Sequence, residues 1–304
     1  MAGGDRADAL ERLLDQGWAY HDEESARLAR ELEAAAGQGV ASHLLAPFIH
    51  LSSHVIGEHL GDWPRAFGLG KRVLDGHEPS AETARAWGRL AVAAMLAGEA
   101  VAAANLELGC LAAAGEGFGA ALLDMRFMLV AALVGTKRTT EAAPLYRNAL
   151  RLSGQIRQSP LLDRTIAIAS NNLGWELYET ASRTKEEDAL MRLCAEASLE
   201  SWLKCGTWIN VERAHHLAAL VANSCGDPVS ATAHADDGIA IIDANGERPL
   251  DRALLQLARA EALAALGDRE GWAGAIGEAE VSAAKLTDED LKRQFAVERA
   301  RIAG

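Results

Sequence analysis

Four side chains able to bind a metal ion are spaced so that they would share one face of a helix. They are His43, His50, His54 and Glu58, separated by seven, four and four positions, and such steps return to the same side of an α-helix. Two imidazoles one turn apart, with a carboxylate beyond them, could bind zinc or another transition metal. No H-E-x-x-H motif accompanies them, so the sequence favours packing or surface histidines at these positions over a metal site.

A second candidate is the adjacent pair His21 and Asp22, which is similar to the central pair of the all-α metal-dependent phosphohydrolases. The spaced partner ligands of that family are not evident along the chain. An all-α metal-dependent hydrolase is therefore the least favoured of three functional hypotheses. The sequence predicts no catalytic residue and no cofactor, and hence a protein that is not an enzyme.

Charge excludes some partners. The chain has 43 acidic and 30 basic residues, a formal net charge of −13, and a negative field of this size repels a polyanion unless a local basic stripe overcomes it. No Lys-rich run is found, so we expect no direct binding of nucleic acid. The N-terminal residues include charges where a secretory signal needs an apolar run. We therefore expect a cytoplasmic protein without a membrane segment.

The elements that must position these side chains are predicted to be helices. Alanine, leucine, glutamate and arginine dominate the sequence, and all four favour helices. Glycine followed by a polar residue recurs where one helix should end and the next begin, because glycine can adopt the left-handed conformation and an acid favours the start of a helix. These predicted corners are Gly61-Asp62, Gly98-Glu99, Gly135-Thr136, Gly226-Asp227 and Gly267-Asp268.

The corners recur with a period. Successive glycines are 37 residues apart from 61 to 98 and from 98 to 135, and 41 apart from 226 to 267, which is typical of a helical solenoid. A corner without glycine is expected near Ala181 to Lys185. The sequence thus predicts a single repeat domain over 1–304, with a capping helix at 287–303 that begins at Thr287 with Asp290 in capping-box register. The predicted hairpins are 5–37, 40–75, 80–114, 118–153, 161–204, 207–245 and 249–285.

Several hairpins carry parts of one motif. The first-helix part is Trp87-x2-Leu90-Ala91-x2-Ala94 in the third hairpin and Leu173-Gly174-x2-Leu177-Tyr178 in the fifth, and the second-helix part is Ala142-x3-Tyr146-x2-Ala149-Leu150 in the fourth. This pattern resembles the tetratricopeptide repeat (TPR), in a long-period form similar to the helical regulatory regions of some bacterial transcription activators. The resemblance implies an all-α, right-handed superhelical solenoid of about seven antiparallel hairpins plus a capping helix.

The resemblance also implies a binding face. In TPR proteins the first helix of each hairpin lines the concave groove that holds a partner peptide, and basic residues there can clamp a C-terminal carboxylate. Where that clamp has Lys and Asn, this chain has Glu11, Asp15 and Ser52, which departs from the pattern. The residues expected to bind a partner are Arg85, Arg89, Arg126, Asn171, Asn172, Trp175, Arg213, His216 and Asn223.

Two functional hypotheses follow beside the hydrolase. The first is a non-catalytic scaffold that holds a protein or peptide segment in the groove. An acidic or C-terminal carboxylate group of the partner is the expected contact for the arginines, which can bind it in a bidentate manner. The second is a ligand- or peptide-responsive regulator acting on a transcriptional or signalling partner. For the arginines, pairing with acids on neighbouring helices remains an open alternative to partner binding.

Overall fold

The computed structural model describes the backbone of residues 4–302 and the side chains of residues 8–302. Every regular element in this range is helical. The helices are α1 (Gly4–Gly17), α2 (Ser25–Ala36), α3 (Ser42–Ser52), α4 (Trp63–Leu74), α5 (Ala84–Leu96), α6 (Ala100–Ala114), α7 (Phe118–Gly135), α8 (Thr139–Ser153), α9 (Pro160–Glu179), α10 (Lys185–Cys205), α11 (Trp208–Ser224), α12 (Pro228–Asn245), α13 (Pro249–Ala265), α14 (Arg269–Ala283) and α15 (Glu289–Ile302). A π-helical turn, Ser53–His59, continues α3, and a 3₁₀ turn, Gly115–Gly117, separates α6 from α7.

The chain divides into two compact units, the first ending at Leu162 and the second beginning at Asp163. In unit 1, α3 to α8 each pack on the next helix along the chain, while α1, α3, α5 and α7 lie side by side. In unit 2, α10 to α14 pack in succession, α11 lies beside α13, and α13 lies beside α15. Each unit is thus a stack of helical hairpins, and the predicted all-α helical solenoid is confirmed. The single domain over 1–304 and the right-handed superhelix stay predictions.

Four of the five predicted corners have the expected glycine geometry. Gly61, Gly98, Gly226 and Gly267 have φ angles between 69° and 81°, in the region that costs glycine little. The following aspartates cap the next helix through their side chains, accepting hydrogen bonds of 2.9–3.1 Å from the backbone amides of Arg65, Ser230 and Gly271. At the fifth corner Gly135 is the last residue of α7, and the positive φ of 60° falls on Lys137 instead.

At the predicted corner without glycine, an arginine side chain bonds to the last carbonyl groups of the preceding helix. Arg183 lies between α9 and α10, and its Nη1 donates hydrogen bonds of 2.9–3.2 Å to the carbonyl oxygens of Leu177, Tyr178 and Thr180. The last carbonyls of a helix lack partners within the helix, so this guanidinium replaces the glycine motif. Thr184 then starts α10 with a capping box.

The last helix was predicted to begin at Thr287, and α15 begins two residues later, at Glu289. Asp288 accepts a hydrogen bond of 2.8 Å from the amide of Asp290 and a longer one from Leu291, so the capping side chain is Asp288 and the predicted role of Thr287 is wrong. Phe295 and Ile302 of α15 pack against the apolar cluster of α13 and α14, as a capping helix should.

Small residues allow close packing at the motif positions. Ala142, Tyr146 and Ala149 of α8 are buried. A Cβ on Gly174 would lie only 3.1 Å from a Leu217 methyl group, which is closer than ordinary packing allows. The motif residues therefore mark where neighbouring helices approach each other.

Residues 100–135 are long and apolar enough to span a membrane by length and composition, with half of the most apolar window buried. They form two helices, and Gly115, with a φ of 54°, lies at the break between them. Arg126 of α7 forms an ion pair with Glu107 of α6. Both helices pack against their neighbours, and a core helix of a folded protein passes the same test, so this is weak evidence for a membrane span.

Candidate functional site

Unit 2 contains a pocket on the side where α9, α11, α13 and α15 meet. Its volume is about 710 Å³, within the range of roughly 300–1,000 Å³ that is usual for ligand sites. Side chains from all four helices line it, so its shape depends on the stacking of consecutive hairpins. Its larger apolar and aromatic lining residues include Trp175, Tyr178, His216, Leu220, Leu254 and Leu257.

The aromatic wall of this pocket joins α9 to α11. The ring of Trp175 lies 5.8 Å from that of His216 and 5.7 Å from that of Tyr178, measured between centroids. Burial lowers the pKa of His216 to about 4 and, with the negative charge of Glu261 beside it, raises the pKa of the Tyr178 phenol. At neutral pH both rings are therefore uncharged.

Two residues that line the pocket on α13 are hydrogen-bonded to an amide side chain of α11. Asn223 donates one hydrogen bond of 2.8 Å to the carbonyl oxygen of Ala258 and another of 3.2 Å to Glu261 Oε2. Burial raises the pKa of Glu261, and the Asn223 hydrogen bond opposes this. Asn223 thus joins α11 to α13 within the protein, and its role as a partner contact stays a prediction.

Charged side chains line the rest of the pocket. The acids are Glu179, Glu261 and Glu298, and the bases are Arg183 and Arg301. Arg183 is engaged by the carbonyls at the end of α9, and Arg301 forms an ion pair of 2.9 Å with Glu298. The charge that this pocket offers a ligand is therefore more negative than positive.

A second group of polar side chains lies near the N-terminal ends of α11 and α13. Glu212 of α11 is fully buried, and burial together with the nearby carboxyl of Asp251 raises its pKa to about 8. Arg213 is exposed and lies 3.4 Å from Asp251 and 3.7 Å from Glu212. The arginine predicted to bind a partner is thus already close to two acids of its own chain.

In unit 1 the predicted arginines differ in their surroundings. Arg126 is paired in a bidentate manner with Glu107, with N–O distances of 2.6 and 3.1 Å. Arg89 is largely buried and donates a hydrogen bond to the carbonyl oxygen of Ala46 in α3, and burial lowers its pKa. Arg85, one turn earlier in α5, is exposed, and no ion pair to it is found among residues 8–302.

Of the nine predicted contacts, the structure brings Trp175 and His216 together in the pocket. Asn171 and Asn172 lie one turn earlier on α9 and hydrogen-bond to each other at 3.3 Å. The sequence did not single out Tyr178, Glu261 or the α15 residues as site residues. Tyr178 was visible as part of the TPR-like motif, whereas no sequence signal connects α15 with a pocket.

The predicted stripe of metal ligands does not form one site. His43 contacts Glu11, with 3.3 Å between Nε2 and Oε1, and His50 lies against the ring of Trp18. Only His54 and Glu58 are in contact, at 2.6 Å. His43 and His54 are eleven positions apart, which corresponds to a rise of about 16 Å along a helix. Side chains that share a helix face can therefore still be too far apart to bind the same ion.

His54 instead belongs to a cluster with residues from a different segment. The ligand atoms of His21, His54 and His59 lie within 4.8 Å of one another. Nε2 of His54 is 3.0 Å from Nε2 of His59, and Asp22 Oδ1 lies 3.5 Å from Nε2 of His21 and 3.4 Å from Nε2 of His59. The pair His21 and Asp22 thus acquires partners that spacing in sequence did not show.

Comparisons with known proteins add two structures of low similarity. No family model matches this chain, and no curated protein matches it. BtubC (BKLC) from P. vanneervenii is 16% identical over 84% of this chain and 91% of its own, with a TM-score of 0.45. A chain of nearly identical TPR-like repeats from Podosopora anserina is 15% identical over 67% of this chain and 97% of its own, also with a TM-score of 0.45. The helical repeat fold of this protein is established by its own helix packing.

Proposed function

We propose that this protein is a non-catalytic scaffold that binds a peptide or protein segment in the pocket formed by α9, α11, α13 and α15. The observation that carries the proposal is the pocket itself, which is open, about 710 Å³ in volume and lined by side chains from four helices. Stacked helical hairpins commonly bind partners on such surfaces without any catalytic group.

The lining favours a segment with one apolar anchor. Trp175, His216 and Leu254 offer an uncharged wall into which a large side chain can pack, and anchors of this kind contribute most of the affinity in many interfaces. Gln294 and Arg301 of α15 lie at the same pocket and are exposed. They can bind the backbone of a segment whose anchor is buried below them.

The charge of the pocket favours a basic residue beside the anchor. Arg301 is paired with Glu298, and Arg183 is engaged by the carbonyls at the end of α9, so neither arginine of the pocket is left to balance Glu179 and Glu261. The whole chain also has a net charge of −13. Complementary charge speeds association and excludes partners of the same sign. This pocket is therefore not expected to bind the anionic group that the sequence predicts on a partner. We propose that the exposed Arg85 of unit 1 binds that group.

Display of overlapping segments from the proteome of the native host tests the proposal. Segments selected on the wild-type protein are measured for affinity by fluorescence anisotropy against two variants of α15. Gln294→Trp places a bulky ring in the pocket from an exposed position, and Ala296→Trp places the same ring at an exposed position of α15 that does not line the pocket. We expect Gln294→Trp to weaken binding at least tenfold and Ala296→Trp to leave it unchanged. Equal affinities for both variants would show that the pocket is not the site.

The volume of the pocket also suits a small molecule, which favours the regulator hypothesis as a second candidate. In that case a compound bound in the pocket would change the affinity for a transcriptional or signalling partner. Native mass spectrometry of protein purified from its host distinguishes the two. A bound compound that is lost in Gln294→Trp, with no segment selected by display, would favour the regulator.

A further inference from the structure

We propose that His21, Asp22, His54 and His59 form a binding site for a divalent transition-metal ion of the zinc type. The site lies in unit 1 and is independent of the pocket proposed to bind a partner. The three imidazoles supply nitrogen ligands and the carboxylate supplies an oxygen ligand, a set that suits zinc and its neighbours better than magnesium or calcium.

The ligands come from two segments that the fold brings together. His21 and Asp22 lie in the turn that follows α1, and His54 and His59 lie on the π-helical turn after α3. In an α-helix two residues five positions apart point about 140° away from each other. A π-helical turn has hydrogen bonds from residue i to i+5, here from the amide of Leu60 to the carbonyl of Val55. This slower turn allows His54 and His59 to face the same point.

Three of the separations among these ligand atoms are close to those around a tetrahedral ion. Zinc bonds of 2.0–2.2 Å in a tetrahedron place neighbouring ligand atoms about 3.3–3.6 Å apart. The observed distances are 3.0 Å between Nε2 of His54 and Nε2 of His59, and 3.4 and 3.5 Å from Asp22 Oδ1 to His59 and His21. The ligand atoms of the three histidines all lie within 4.8 Å of one another, and the exposed side chain of Asp22 must rotate towards His54 to complete the set.

Hydrogen bonds outside the cluster orient two of the three rings. His21 Nδ1 lies 2.8 Å from the carbonyl oxygen of Trp18, and His54 Nδ1 lies 2.6 Å from Glu58 Oε2. With each Nδ1 donating its hydrogen to the oxygen beside it, each Nε2 directs its lone pair into the cluster. A carboxylate or carbonyl behind a ligating histidine is the usual outer support of a metal site.

The surroundings provide both enclosure and access. The indole of Trp18 contacts the rings of His21 and His54, with centroid distances of 5.3 Å, and these two imidazoles are mostly shielded from solvent. The side chain of Asp22 is 71% exposed. An ion can therefore enter from the solvent side and meet Asp22 first.

A second group of possible ligands, His215, His234 and Asp237 in unit 2, provides a comparison. There the two imidazoles face each other through Nδ1 at 3.3 Å, and Asp237 lies 3.9 Å from His215. The first cluster has shorter contacts to its carboxylate and two oriented rings, so it carries the proposal. The second supplies a control substitution.

The test is zinc binding by the full-length protein without a polyhistidine tag, stripped of metal and titrated with ZnCl2 in competition with a chromophoric chelator. We expect one zinc ion per chain for the wild type, His43→Ala and His234→Ala. His59→Ala should lose more than about 100-fold in affinity, because it removes a ligand, and Glu58→Gln about 10–100-fold, because it removes an outer support. The side chain of His59 is 27% exposed, so its removal should leave the fold intact, which circular dichroism verifies.

Three outcomes would overturn the proposal. One is a wild-type protein that takes up no zinc, which would leave the cluster as histidines hydrogen-bonded to one another. Another is a His59→Ala variant that binds zinc as tightly as the wild type does. If His59→Ala fails to fold, unchanged zinc affinity in the double variant Asp22→Asn, His54→Ala would overturn the proposal instead. The third is zinc binding that is lost in His234→Ala, which would place the ion in unit 2.

Discussion

The indole of Trp175 on α9 lies against the imidazole of His216 on α11, with 5.8 Å between the ring centroids and 58° between the ring planes. The two residues are 41 positions apart, one from the first helix of each of two successive hairpins. Their contact forms the aromatic wall of the pocket, and it joins the repeat architecture to the proposed binding function.

Removing the indole should weaken partner binding. We expect Trp175→Ala to reduce the affinity for a segment selected on the wild-type protein by about tenfold or more, since buried tryptophans often dominate interface energies. Trp208→Ala is the matched control, because Trp208 is also half-buried and on α11 but does not line the pocket. Fluorescence anisotropy with the same labelled segment measures both. Equal losses in the two variants would argue against a specific role for Trp175.

Glu212 should make the stability of the protein depend on pH. Its pKa is raised from the ordinary 4.5 to about 8 by burial and by Asp251, so between these values the folded protein holds a proton that the unfolded chain releases. Stability from this group is therefore lost as the pH rises through that window, by roughly 1.4 kcal/mol per unit at most.

Glu212→Gln keeps the shape of the side chain and removes the titration. Thermal melts at pH 5 and pH 8 should show a smaller fall in Tm for the variant than for the wild type. Burial lowers the pKa values of His215, His216 and His234. These histidines have the opposite effect: the free energy of unfolding falls as the pH drops below about 6.5. Both proteins share these histidines, so the difference between them isolates Glu212. Parallel pH profiles would contradict the assignment.

The two arginines of α5 should respond differently to charge reversal. Arg85→Glu is expected to change the free energy of unfolding by less than about 0.5 kcal/mol, because Arg85 is exposed. Arg89→Glu should cost about 1–3 kcal/mol, since it removes the hydrogen bond to the Ala46 carbonyl and leaves an acid buried near Asp124. Urea denaturation measures both. Only Arg85→Glu can therefore test recognition of an anionic partner, which should also weaken with added salt.

The arginine corner between α9 and α10 should be a local source of stability. Arg183→Ala removes hydrogen bonds to three carbonyl oxygens and an ion pair of 2.9 Å with Asp188. We expect a loss of about 2–3 kcal/mol in the free energy of unfolding. Arg192→Ala, which removes one hydrogen bond from an exposed arginine to the carbonyl of Cys225, should cost less. A smaller loss for Arg183→Ala than for Arg192→Ala would contradict this role.

The sequence predicted the hairpins because their signals are local. A glycine with positive φ followed by a capping aspartate, as at Gly226 and Asp227, depends only on residues within one turn. The corner at Arg183 was not foreseen in this form, because a long side chain that bonds to carbonyls behind it leaves no fixed spacing in the sequence.

The site was predicted less completely than the hairpins, because its contacts join residues that are distant in the sequence. Trp175 and His216 could be chosen from their places on first helices, but their contact depends on how α9 packs on α11. His59 could not be joined to His54, because a period of 3.6 residues places them on different sides of a helix. The π-helical turn that unites them leaves a weaker pattern than an α-helix does. Likewise, no sequence pattern showed that Arg126 would be paired with Glu107.

Photo-crosslinking at a single position tests the central claim most directly. A photoreactive amino acid replaces Gln294, which lines the pocket on α15, or Ala296, which does not, and each protein is irradiated with a segment selected by display. The account predicts a crosslink from position 294 to residues beside the apolar anchor of the segment, and little or none from position 296. Crosslinking from 296 equal to or stronger than that from 294 would contradict binding in this pocket.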